Sequence, residues 1–116
     1  MKYSFDEFIA PRLKDLRLWP RNMYVAHPGW KSLYVRVSQR YIDCQLIRTV
    51  IDLANLEAAT PGRGTFKKLV AHIRVNYPET TIFVESVLEE RFGHGLMRMG
   101  FAKVDGLNNF YLIPEP

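Results

Sequence analysis

Two periodicities divide the chain. In "SFDEFIAPRLKDLRLW", Phe5, Phe8 and Ile9, then Leu13 and Leu16, recur at helical spacing, and Ser4 stands three residues before Glu7 as in a capping box. Pro11 lacks an amide hydrogen and crowds the preceding turn, so the stretch is predicted as two short helical segments divided there. "PRNMYVAHPGW", with prolines, an asparagine and a glycine, reads as a loop. In "SLYVRVSQ" the period drops to two: Leu33, Val35 and Val37 alternate with Tyr34, Arg36 and Ser38, the pattern of a half-buried strand. The next apolar stretch is rich in β-branched residues. It predicts a hairpin return at Tyr41 to Asp43 and a central strand from Leu46 to Leu56, with Ile51 and Leu53 on one face and Asp52, Ala54 and Leu56 on the other.

Beyond the glycines of "PGRGTF", the helical period returns with Phe66, Leu69, Val70, Ile73 and Tyr77 on one stripe, and Pro78 ends it. "ETTIFVES" is a strand by composition, and "VLEERFGHGLMRM" carries a helical stripe through Leu88, Phe92, Leu96 and Met99. Gly93 and Gly95 each weaken that helix by roughly 1 kcal/mol relative to alanine, which points to a close approach of backbone or ligand. "FAKVDGLNNFYLI" predicts a final hairpin about an Asp105-Gly106 turn. This order of elements predicts an α+β fold, an α/β sandwich with a mixed, mostly antiparallel sheet, a central β-turn-α-β unit with parallel strands, and a C-terminal hairpin.

Length and composition narrow the picture. The 116 residues suit one domain spanning 1–116, and 47% hydrophobic content with 13% aromatics is that of a globular chain. No apolar run reaches membrane-spanning length, and the amphipathic opening has no secretory stretch, so a cytoplasmic protein without membrane contact is expected. Cys44 is the single cysteine and fits a reducing compartment, where a buried thiol is its expected state. A net charge of +4 favours acidic partners, but the arginines and lysines are scattered, so nucleic acid is not the expected one. His27, His72 and His94 lack metal-ligand spacing, and no metal is expected.

The glycine turn is the most chemically suggestive segment. A nucleotide P-loop needs four residues between its glycines and a following Lys-Ser or Lys-Thr, which this turn lacks. A dinucleotide fingerprint needs a third glycine, and Lys67 stands in its place. The segment from Leu46 to Leu112 instead resembles the GNAT superfamily of N-acetyltransferases, in the small form found in phages. The matching residues are Gly62 and Gly64 about Arg63, then "TIFVES", then a helix finishing in Gly100-Phe101 before the last hairpin. Pro61 and Phe66 depart from that family's turn, Leu96 falls where its usual tyrosine stands, and Glu89 falls where an asparagine is common.

The resemblance implies acetyl-CoA as co-substrate, with its pyrophosphate held by the turn residues Gly62, Arg63, Gly64, Thr65, Phe66 and Lys67 and its pantetheine met by the strand end at Leu56. It implies an amine acceptor on a small molecule or a protein. Transfer to an amine needs a base to take the ammonium proton, for which Asp52 and Glu85 are the candidates and Glu57 a weaker third. Asp52 serves equally as an ion-pair partner of Arg36 or Arg48, and Glu85 as a helix cap. An alternative is a catalytically silent GNAT-like protein that binds and modulates a partner, such as a host protein.

Overall fold

The computed structural model describes residues 3–104 and 106–115. Helix α1 (Phe5–Lys14) precedes strands β1 (Asn22–Tyr24), β2 (Trp30–Ile42) and β3 (Gln45–Ala58); then come α2 (Thr65–Asn76), β4 (Thr81–Val84), α3 (Glu90–Arg98), β5 (Ala102–Lys103) and β6 (Phe110–Leu112). The strands form one open sheet in the order β1-β2-β3-β4-β6-β5. Among these strands only the β3-β4 pair is parallel, as the β-turn-α-β reading predicts, and β5 and β6 form the expected antiparallel hairpin. Asp105 of the predicted hairpin turn lies outside the described residues.

Register sorts side chains between two faces. Val35, Leu53, Val84 and Phe110 align across the sheet and join Phe5, Phe8 and Ile9 of α1, Leu69 and Ile73 of α2 and Leu96 of α3 in one buried cluster. All three helices therefore lie on the same face. On the other face Arg36, Asp52, Phe83 and Tyr111 align, with a small cluster of Ile42, Val50 and Phe83. The β2-β3 hairpin reaches across that face, since the Tyr111 hydroxyl donates to Asp43 at its tip at 2.6 Å.

Several elements depart from the sequence reading. α1 runs unbroken through Pro11, capped by the reciprocal Ser4 and Glu7 bonds. The bond that Pro11 forgoes would have gone to the carbonyl of Glu7, and both residues are exposed, so water can satisfy the freed oxygen. The predicted loop contains β1, whose three residues are too few to show a period. β2 continues through Ile42, and Asp43 and Cys44, both at positive φ, form the two-residue turn where the sequence placed a strand return. Cys44 is thus exposed, not buried. Leu88 lies before α3 and is 84% exposed instead of joining its stripe. Gly93 does accommodate a close approach: a Cβ there would sit 3.2 Å from the Phe110 ring. α3 closes in a Schellman motif, Phe101 N–H to the Leu96 carbonyl and Gly100 N–H to the Met97 carbonyl, both at 3.0 Å.

Candidate functional site

The parallel strands β3 and β4 stay paired only from Val50↔Thr81 to Leu53↔Val84, and their last main-chain bond runs from Glu85 N–H to the Leu53 carbonyl at 3.0 Å. Two backbone devices then part them. In β3 an extra residue is inserted, because Ser32↔Glu57 and Tyr34↔Ala54 set three steps of β3 against two of β2, and Asn55 takes φ 49°. After β4, Ser86 takes φ 54°, held by its N–H donating to the Asn109 side chain at 2.9 Å and by Val87 N–H to the Asn108 carbonyl at 2.7 Å. Left-handed conformations at non-glycine residues cost roughly 1–3 kcal/mol and concentrate where a site needs them.

The parted strands leave an open cleft of about 650 Å³, lined among others by Tyr34, Asn55, Leu56, Glu85, Ser86 and Phe92. It lies outside the carboxyl ends of the parallel pair, the position where open α/β sheets take ligands. The bulge also reverses the facing of Leu56: instead of sharing the face of Asp52, it packs against the helix-side core.

The glycine turn leads from β3 into α2. Gly62 and Gly64 have φ 82° and 67°, and a Cβ at either would meet no atom within 4 Å, so the glycines serve chain direction and leave open space. Lys68 N–H makes the first helical bond, to the Gly64 carbonyl at 3.1 Å, and Gly64 supplies no side-chain cap. Among the described residues no protein acceptor meets the amides of Arg63, Gly64, Thr65, Phe66 or Lys67. Those amides and the helix dipole present partial positive charge to an anion. Pro61 is exposed and does not fill the turn. The Phe66 ring turns inward onto Phe92 at 5.2 Å between centroids, joining the turn to the wall of the cleft.

The two candidate carboxylates are brought together, but by arginines. Asp52 is 2% exposed; its Oδ2 accepts from Arg36 Nε at 2.9 Å and Ser38 Oγ at 3.0 Å, and its Oδ1 from Arg40 Nε at 3.0 Å. Glu85 Oε1 accepts from Arg36 Nη2 at 2.6 Å and from Arg40 Nη2. The Arg40 guanidinium also lies 4.1 Å from the Phe83 ring centroid. Burial acts to lower the Arg36 pKa, but the bonds and charges of Asp52 and Glu85 outweigh it and raise the value above its ordinary one. Glu85 lines the cleft and Asp52 does not. Glu57 pairs with Lys31 at 3.3 Å on the surface. Leu96 is fully buried, and Glu89 takes the N-cap position of α3 without a side-chain capping bond.

Asn55 and Ser86 join the site without having been singled out by sequence reasoning, and Tyr34 enters it from the polar side of its strand's alternation. Tyr34 stacks edge-on against Tyr24, whose hydroxyl accepts from Asn55 Nδ2 at 3.1 Å. Arg36, Ser38 and Arg40, spaced by two in a strand, were the available signal for a polar row facing Asp52. Away from the cleft, His72 and Tyr77 of the α2 end bond Asp6 of α1 at 2.8 and 2.5 Å, and His27 lies 5.1 Å from His72 between ring centroids. No helix among the described residues is long and apolar enough to cross a membrane. No protein-family model, curated protein or solved structure matches the chain.

Proposed function

We propose that the protein is a GNAT-like N-acetyltransferase that uses acetyl-CoA in the β3-β4 cleft to acetylate an amine on a small molecule or protein. One observation carries this reading: a cleft at the carboxyl ends of a parallel strand pair lies beside a helix start whose amides have no protein acceptor among the described residues. The open space at Gly62 and Gly64 admits a pyrophosphate, and Arg63 and Lys67 supply cations beside it. Beyond Leu53, β3 has no bond to β4, leaving the strand near Leu56 to meet an extended pantetheine. Acetyl-CoA would contribute a thioester in which attack by a neutral amine replaces a C–S bond with a C–N bond.

Within the cleft Glu85 is the carboxylate suited to accept the ammonium proton, because Asp52 has both oxygens engaged and no access to the cleft. Tyr34 is the phenol suited to protonate the leaving thiolate in place of Leu96. A second reading, a silent GNAT-like protein that binds a partner, is favoured by the arginine bonds on Glu85 and by the missing hydroxyl at Leu96. Calorimetry with acetyl-CoA and CoA, together with thiol release over a panel of amines, separates the two. Saturable binding lost in Lys67→Glu and Gly64→Glu, with turnover lost in Glu85→Gln and Tyr34→Phe, supports the enzyme. Binding without thiol release supports the silent protein, and no heat at high ligand concentration removes the cofactor site.

A further inference from the structure

β1 covers only part of β2. Its three residues pair with Tyr34, Val35 and Arg36, and the terminal pair is Asn22↔Arg36, whereas β2 continues to Ile42. Val25 N–H donates to the Leu33 carbonyl at 2.9 Å, which places the main-chain groups of Leu33 on the β1 side. Main-chain direction alternates along a strand, so Val35, Val37, Gln39 and Tyr41 direct theirs to the same side. The irregularity between Ser38 and Arg40 sets two steps of β2 against three of β3, so the extra residue is in β3 and the alternation of β2 is kept. Arg21 stands opposite Val37 where the β1 ladder ends, and beyond it, among the described residues, no main-chain partner meets the outward groups of Gln39 or Tyr41.

A recess of about 450 Å³ lies along this bare edge, lined among others by Leu16, Arg17, Arg21, Val37, Ser38 and Gln39. Its wall is the loop between α1 and β1, and that wall is anchored. The buried Arg12 guanidinium donates to the carbonyls of Pro20 at 2.5 Å, Trp19 at 3.2 Å and Phe8 at 3.0 Å. Arg17, Arg21 and Arg36 line the recess; Arg36 is held by Asp52 and Glu85, Arg17 lies 3.7 Å from Asp15 on the surface, and Arg21 has no carboxylate partner among the described residues.

We propose that the edge of β2 at residues 39–41 takes up an extended, acidic segment of a partner protein as an additional strand in line with β1. Three features select this occupant. A strand edge offers donors and acceptors in alternation, which a peptide main chain matches and a nucleic-acid backbone, all acceptor, does not. Arg21 and the exposed, loosely paired Arg17 match acidic side chains. They also oppose pairing with the same edge of a second copy, because like charges would meet, a device by which edge strands resist self-association. The site is separate from the β3-β4 cleft, so it stands whether or not acetyl-CoA binds there.

The test is fluorescence anisotropy with a labelled peptide alternating glutamate and valine. Saturable binding is expected, weakened at least about tenfold when lysine replaces glutamate, when alternate peptide nitrogens are methylated, or in the Arg17→Glu, Arg21→Glu double variant. Gln39→Ala, which keeps the outward N–H, should bind like the wild type, and Gln39→Pro should lose about tenfold. The methylated peptide gives an answer even if Gln39→Pro does not fold. Equal binding of the methylated or lysine peptide overturns the proposal. Tighter binding of a short single-stranded DNA assigns the recess to nucleic acid, and a Gln39→Pro-sensitive dimer in sedimentation assigns the edge to a second copy; either result also overturns it. Variants Gly64→Glu and Lys67→Glu should leave peptide binding unchanged.

Discussion

Replacing Asp52 by asparagine tests whether this carboxylate holds the sheet together or does chemistry. The wild-type side chain accepts two guanidinium bonds and one hydroxyl bond. Charge-assisted bonds contribute roughly 1.5–3 kcal/mol each. The introduced asparagine would keep one acceptor oxygen, but its amide group would face a guanidinium, and Glu85 alone would then balance two arginines. The Arg36 and Arg40 side chains are 36% and 28% exposed, so water takes up part of the loss and the lower end of the range applies. The expected destabilisation is about 3 kcal/mol. At roughly 4 °C per kcal/mol for a chain of this size, Tm should fall by about 12 °C. Urea unfolding followed by circular dichroism, with the slope unchanged, measures the first quantity, and a thermal melt the second. A loss below about 1 kcal/mol would refute the structural assignment. A normal melt together with abolished acetyl transfer would return Asp52 to the catalytic role.

Other outcomes follow from local geometry. Ser4→Ala removes the capping-box acceptor of Glu7 N–H and should cost about 1 kcal/mol in urea unfolding, with Ser4→Asp close to wild type. Gly62→Ala should cost about 1–2 kcal/mol by the same measurement through its positive φ alone, since its Cβ would meet nothing. Burial and the neighbouring His72 hold the His27 pKa below its ordinary value, outweighing the attraction of Asp6. The unfolded chain then binds the proton more readily, so stability should fall as pH drops below about 6.5, and His27→Gln should flatten that part of a stability-pH profile. For Asp6, burial raises the pKa, but the bonds from Tyr77 and His72 outweigh it and lower the value; its contribution should persist above about pH 4 and disappear in stronger acid, a fall absent in Asp6→Asn.

The elements read most clearly from sequence were those whose pattern repeats over a full face. The stripe of Leu69, Val70 and Ile73 and the alternation of Leu33, Val35 and Val37 are the buried sides of α2 and β2. The parallel β3-β4 pair followed from a strand, a helix and a strand in succession. What escaped depends on distant partners or on single residues. β1 is a strand only because β2 is beside it. The bulge at Asn55 has no periodic signature, yet it decides where Leu56 points. The cleft needs Ser86 turned by contacts from Asn108 and Asn109, more than twenty residues along the chain. Asp52 and Glu85 could be marked as carboxylates near a turn, but their two arginines come from β2, whose register against Asp52 is set by the inserted residues.

That inserted residue has an evolutionary consequence. Surface loops of this chain can change length and leave the strands in place, since loop extension costs little. A one-residue deletion at Asn55 is different, because it would turn the end of β3 inside out, bringing Leu56 to the side of Asp52 and removing the divergence from β4. Descendants of this sequence should therefore tolerate substitution at Asn55 by glycine or aspartate far better than loss of the position, so a gap there in a future relative would mark a protein without this cleft.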